Sequence, residues 1–515
     1  MRKILHHSSS RQIVLLTALS VVVVSAAAMQ ALTAPGYGGD SPPEAAPVTI
    51  TGGDAVTWDD VDRLISEQKF EAASDAVKAI RERARGQDDA AEWTRALVEE
   101  TKLRMALHGY ETAVRFLRTE PWPEDSVSQA VLELYYASSL ATYARVYSWE
   151  IRQRERVETE GDLDLKKWDL EQILEAADSA FLAVWSAREE WGSESLGELS
   201  RYIHQNNYPP RIRGTLRDAV TYLWVELLAD SSFWSPAESN GVFALDFAAL
   251  LAGDLEQSSQ LDLGDAALHP LLKIAALLDD LEAWHKAANR PEAALESRLE
   301  RLRRLHASFN TEEDQLTIRG HLEGLQESFD KSFEWWSMGQ SVLAEFIRLE
   351  TDPEALVRAR AAAVAGRERH PQSLGGQRCN HIVAAIETPQ YSLAAMAVDG
   401  AGRRSFQINH RNFGELHFRA WRYDLRRFVE SSEDYNIWPG HRESEEIMAG
   451  PPDAEWSIEL PSTPDYRSHI TYDTPQLEEP GAYLVMASMR ADFAKRGNQM
   501  VAENFILSDL VLIRR

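Results

Sequence analysis

The chain has 515 residues, 44% hydrophobic and 26% charged, with a net charge of -27 from 81 acidic against 54 basic residues. These are globular proportions, with length enough for roughly two to four cored domains. So large an acidic excess repels phosphate backbones and anionic headgroups, which disfavours nucleic acid and membrane surfaces as partners and suits basic proteins. One cysteine, Cys379, excludes an intramolecular disulfide and thiolate-rich metal sites, so stability must come from packed apolar cores. Cys379 itself reads as a partly buried thiol at an element boundary.

The N-terminus predicts export. Arg2, Lys3 and Arg11 form a positive region, Ile13 to Val24 an apolar run, and Ala26, Ala27 and Ala28 a small-residue cleavage site. Read on to Leu32, the run reaches the length of a spanning helix, so residues 1–32 are a signal peptide or an N-terminal anchor in the membrane. No cysteine follows the run, which removes the lipoprotein alternative. Residues 33–54 are a Pro/Gly-rich linker carrying Pro35, Gly36, Gly38, Gly39, Pro42, Pro43 and Pro47. The location expected is the periplasm or cell envelope.

Residues 55–372 predict a helical-repeat-like domain, an irregular α-solenoid. Leu170, Ile173, Leu174, Ala177, Phe181, Val184, Arg188 and Trp191 follow the 3.6-residue period, opened by a capping box of Asp169 and Gln172. Thr215 and Asp218 open a second run, Leu271 to Leu281 form a third, and Pro291 starts a fourth. Val131 to Trp149 is apolar on two sides, as expected inside a stack of helices. Asn289 to Leu295 looks like the start of a tetratricopeptide-type (TPR-like) helix, without a strict 34-residue repeat. The loop from Gln205 to Gly214 interrupts the helices. It is either an interhelical connection stopped by its prolines or a partner-contacting loop anchored by Tyr208, Arg211 and Arg213.

Near Cys379 the period changes to two. Strands are expected at Ile382–Glu387, Tyr391–Val398, Ser405–Ile408, Leu416–Tyr423, Trp456–Leu460, Ser468–Thr474, Tyr483–Ser488 and Asn504–Ile513, with a turn at Asp399–Gly402. Arg426 to Pro452 has no period and reads as an insertion. The sum is an antiparallel β-sandwich over residues 380–515, after a boundary marked by Pro371, Gly375 and Gly376.

The residues Leu165 to Leu170, Arg211 to Asp218, Cys379 to Leu393, Asp465 to His469, Pro480 to Val485 and Leu507 to Leu510 are similar to bacterial alpha-2-macroglobulin-family proteins. The chain resembles their N-terminal portion, a helical region and a first macroglobulin-like β-domain. The resemblance implies protease trapping, that is, endopeptidase inhibition at the cell envelope, with further β-domains expected beyond Arg515. The thioester of full-length members lies in Cys-Xaa-Glu-Gln, whereas Cys379 is followed by Asn380, His381 and Ile382, so no thioester can form here.

Enzyme motifs are missing: no H-E-x-x-H, G-x-S-x-G, Walker loop or G-x-G-x-x-G occurs. Asp162-Leu163-Asp164 opens like a calcium loop but has Lys167 where glycine is needed. Cys379 and His381 lack an orienting third group. No catalytic, cofactor-binding or metal-binding residue is expected. The partners expected are proteins, either proteases or envelope proteins. The alternative to a protease inhibitor is a helical-repeat adaptor of the envelope with no inhibitory activity.

Overall fold

A computed structural model describes residues 56–157, 164–253, 255–396, 405–431 and 438–508. The expected leader and linker, Asp162, the Asp399–Gly402 turn, residues 432–437 of the polar insertion and the end of the last strand lie outside them. Among the described residues no helix is long and apolar enough to cross a membrane. The chain is helical first and antiparallel β second, and it divides into two compact units at Ile318/Arg319.

Among the described residues the first unit begins with five helices: α1 (Trp58–Ser66), α2 (Phe70–Gly86), α3 (Ala90–Ala106), α4 (Tyr110–Thr119) and α5 (Ser126–Val146). Each of the first three turns is three residues long, and its central residue, Gln68, Asp88 or His108, takes φ near 60° (59°, 56° and 60°). The left-handed residue lets the next N–H reach back five residues: Lys69 to Leu64 O at 2.9 Å, Asp89 to Ala84 O at 3.0 Å, Gly109 to Arg104 O at 2.8 Å. These bonds satisfy carbonyls that a helix end otherwise leaves open, and they fold each helix back on its predecessor. Val61, Leu64, Ala73, Val77, Ile80 and Leu103 form the core between the first hairpins. Helix α5 is buried on both sides through Val131, Leu134 and Tyr135 and through Leu132, Leu140 and Tyr143.

Four further main helices follow: α6 (Leu170–Ser186), α7 (Leu216–Leu228), α8 (Pro270–Ala287) and α9 (Pro291–Ser308). The capping boxes at Asp169/Gln172 and Thr215/Asp218 start α6 and α7 as the sequence predicts, and prolines open α8 and α9. The run expected to continue to Trp191 breaks at Ala187, with a one-turn helix at Arg188–Trp191. The α8–α9 turn repeats the device, with Asn289 at φ 55° and the Arg290 N–H on His285 O at 2.9 Å. Helix α10 (Glu312–Ser328) spans the division between the units.

The second unit contains three packed helices, α11 (Trp336–Arg348), α12 (Ala355–Arg369) and α13 (Leu374–Glu387), ahead of the sheets. Helix α13 corrects the strand expected at Ile382–Glu387: Ile382, Val383 and Ile386 are its buried face. The glycines read as a domain boundary are packing devices. A Cβ at Gly375 would collide with the Met338 backbone, and one at Gly376 with His370 O. Ser373 caps α13 by accepting from the Gly376 N–H at 3.0 Å.

Among the described residues seven strands make two sheets: β1 (Gln390–Ala395), β2 (Phe406–Arg411), β3 (Glu415–Tyr423), β4 (Ala454–Glu459), β5 (His469–Asp473), β6 (Gly481–Ser488) and β7 (Met500–Leu507). The orders are β1-β2-β5 and β4-β3-β6-β7, all pairs antiparallel. Their inner faces share one core of Tyr391, Phe406, Ile408, Phe418, Trp456, Val485 and Phe505, so the two sheets are a sandwich. The Tyr483 hydroxyl donates to Glu479 O at 2.7 Å, a tyrosine corner pinning the connection into β6. The polar insertion holds two short helices, α14 (Leu425–Ser431) and α15 (His441–Met448).

Candidate functional site

The loop singled out by sequence is folded onto α9. Asn206 accepts from the Tyr208 N–H at 2.9 Å and Pro209 O from the Ile212 N–H at 2.8 Å, while Ile212 is buried. Gly214 is required because a Cβ there would strike Pro210 O. Arg213, with its side chain 10% exposed, donates from Nη2 to Glu296 at 2.6 Å and Glu300 at 3.1 Å. Its guanidinium lies 4.3 Å from the Tyr208 ring centroid and 3.5 Å from that of Tyr222. Arg303 meets the same two carboxylates at 2.9 and 3.0 Å, and Arg304 bonds Glu300 at 2.8 Å. Burial alone would raise the Glu300 carboxyl, but Arg304, Arg213 and Arg303 outweigh it and hold it well below the usual range. Glu296 is lowered against its burial in the same way, by Arg303 and Arg213.

Arg211 stays half-exposed at 49% and pairs with Glu292 at 3.2 Å. Farther along, Arg217 bonds Glu189 at 2.8 Å and Asp280 at 2.7 Å, and Arg188 also meets Asp280 at 2.9 Å. Asp218 completes the capping box of Thr215 by accepting from the Thr215 N–H at 3.0 Å, and its other carboxylate oxygen faces His285 Nε2 at 2.8 Å. The geometry therefore gives this stretch a role in joining α7 to α8 and α9, and it withdraws the Arg213 guanidinium from any partner.

Two arrangements have a superficial likeness to catalytic pairs. Asp218 and His285 form a hydrogen-bonded couple, but His285 is fully buried and its Nδ1 meets no hydrogen-bond partner among the described residues. A base needs reach to a nucleophile and to substrate, and neither is present in this couple. Cys379 is fully buried on α13, its thiol 3.4 Å from Ser337 O, and burial pushes it up to about 12 despite Arg367. His381 lies on the exposed side of the same helix.

Comparison with family models, curated proteins and solved structures finds no match.

The surface feature that sequence reasoning missed lies where α5 ends. Trp149 is 78% exposed, and Val146 and Leu107 are exposed beside an aromatic chain. His108 and Tyr110 rings are 6.4 Å apart, Tyr110 and Tyr147 6.1 Å, and Tyr147 and Tyr143 5.0 Å. Tyr143 is buried, so the aromatic chain runs from the core out to the surface around the α3–α4 turn. An exposed tryptophan with exposed aliphatic neighbours, next in the chain to half-buried tyrosines, is a residue set that anchors protein–protein contacts. The available signal was that Trp149 follows the last buried position of the α5 stripe, Ala144, with Val146 outside it.

Proposed function

We propose that the protein is a non-enzymatic binding scaffold of the cell envelope, whose helical unit holds another protein through the aromatic surface around Trp149. The observation that carries this reading is the exposure of Trp149 and Val146 at the end of a two-sided buried helix, whose Tyr143 and Tyr147 rings run on to Tyr110. The hairpin array supports a TPR-like description. Trp58 Nε1 donates to Glu92 at 2.5 Å and Thr94 to Ser128 at 2.8 Å, each pair 34 residues apart and each joining the starts of alternate helices. Thirty-four residues is roughly the tetratricopeptide period, and such arrays bind proteins on their faces. The charge of -27 favours a partner with a basic rim around its apolar contact. The test is affinity capture from the source envelope with the intact chain and with a Val146→Asp, Trp149→Ala variant. A protein recovered with the first and lost with the second is expected, while equal recovery by both removes the patch from the account.

The macroglobulin reading, with a role in protease inhibition, is supported by a different observation. A seven-stranded sandwich with the Tyr483 corner follows a helical region, and such corners belong to immunoglobulin-like sandwiches. On that reading the chain positions β-modules of a trap and does not itself trap. Incubated with serine and metalloproteases, it leaves cleavage of large and small substrates equally fast. Selective protection of the large substrate would place a bait within these residues.

A further inference from the structure

Sheet edges expose unpaired backbone donors and acceptors, so each edge of the sandwich has to be covered or blunted. At one mouth β1 is tied to the residue just ahead of β7: the Tyr391 hydroxyl donates to Gln499 O at 3.2 Å, and Gln499 Nε2 to Tyr391 O at 2.8 Å. At the other mouth β4 carries exposed Glu455 and Glu459, which repel an approaching strand. Strand β5 is different. It is the outer strand of its sheet, it has no proline or lysine, and its outward side chains Ile470 and Tyr472 are 56% and 59% exposed. Their neighbours across the pairing with β2 are Asn409 and Gln407, so apolar groups on this face concentrate at the edge that no described strand pairs.

The sequence of β5, His469-Ile470-Thr471-Tyr472-Asp473, is self-complementary when two copies run antiparallel about Thr471. Ile470 then faces Tyr472 of the second copy on the outer face, twice by symmetry. Thr471 faces Thr471, and His469 faces Asp473 of the second copy on the inner face. Aromatic with β-branched and threonine with threonine are kinds of cross-strand pair that stabilise antiparallel sheets, and His469 with Asp473 adds a hydrogen-bonding pair. Asp473 Oδ2 accepts from Trp456 Nε1 at 3.0 Å, the Thr474 N–H also bonds this carboxylate, and His469 Nε2 meets Asp465 at 2.9 Å, so the pairing uses a remaining carboxylate lone pair and His469 Nδ1. We propose that β5 is a homodimerisation edge, joining two copies about a two-fold axis into one six-stranded sheet.

The register gives a discriminating test on the full chain. Cys379 is buried, so an introduced surface thiol is the one that reacts. Thr471→Cys oxidises to a covalent dimer, Ile470→Cys alone does not, and a mixture of Ile470→Cys with Tyr472→Cys does. In sedimentation velocity the unmodified chain shows a concentration-dependent dimer, and Ile470→Lys raises its dissociation constant by about ten-fold or more. His469→Asp weakens the dimer, and His469→Asp with Asp473→His restores it. A chain that stays monomeric at the highest attainable concentration overturns the proposal. So does Ile470→Cys linking to itself as readily as Thr471→Cys.

Discussion

Replacing Arg213 by alanine removes one cation from a site where Glu296 and Glu300 have side chains 0% and 8% exposed. Taking one partner from a buried pair costs about 3–5 kcal/mol because the remaining charge is stranded. Arg303 still reaches both carboxylates at 2.9 and 3.0 Å, so the low end of that range, about 3 kcal/mol, is expected. Arg211→Ala breaks a half-exposed pair with Glu292 and costs under about 1 kcal/mol. A chain with two compact units need not unfold in one step, so the assay is native-state hydrogen exchange of the α7 and α9 amides. Arg213→Ala speeds their exchange by roughly 100-fold, the equivalent of 3 kcal/mol, and Arg211→Ala by only a few-fold. The network also carries a pH signature. Glu296 and Glu300 are both depressed in the folded state, so their stabilisation is fully present above the ordinary carboxylate range and is lost as pH falls through their lowered values. The variant, with less depressed carboxyls, loses less on acidification. Equal protection in the two variants would refute the assignment of Arg213 as a buried strut.

A Cβ at Gly366 would lie 2.5 Å from Cys379 Sγ and 2.9 Å from Gln340 Cβ, so Gly366→Ala overpacks the α11–α12–α13 layer and costs about 1–3 kcal/mol in thermal or urea unfolding. Cys379, with its thiol held protonated up to about 12, reacts with a thiol reagent only after denaturant is added, and the reaction is followed by absorbance. Tyr483→Phe removes the hydroxyl that bonds Glu479 O and lowers stability of the second unit by about 1 kcal/mol, read from the shift in its unfolding midpoint.

Much of the architecture was readable from local chemistry. The Asp169 and Thr215 capping boxes and Pro291 start helices because their signals lie within one turn. The alternation in Leu416–Tyr423 marks β3 because one face meets the sandwich core. Over the six residues Ile382–Glu387 a strand and a helix leave similar patterns, and only packing against α11 and α12 decides for α13. Gly375 and Gly376 look like a break until the backbone of Met338 and the carbonyl of His370 are seen beside them. Arg213 could not be recognised as a strut from its loop, since Glu296 and Glu300 stand 83 and 87 residues away. The Tyr110–Tyr147 contact joins the α3–α4 turn to the end of α5, two places a linear pattern does not connect.

The scaffold account is tested most directly at Trp149 itself. A photo-crosslinking amino acid placed there, in the chain expressed in its own envelope, is compared with the same group at Arg211. The account predicts a discrete adduct with another protein at Trp149, missing at Arg211 and abolished by Val146→Asp. No adduct at Trp149, or the same adduct from both positions, would contradict it.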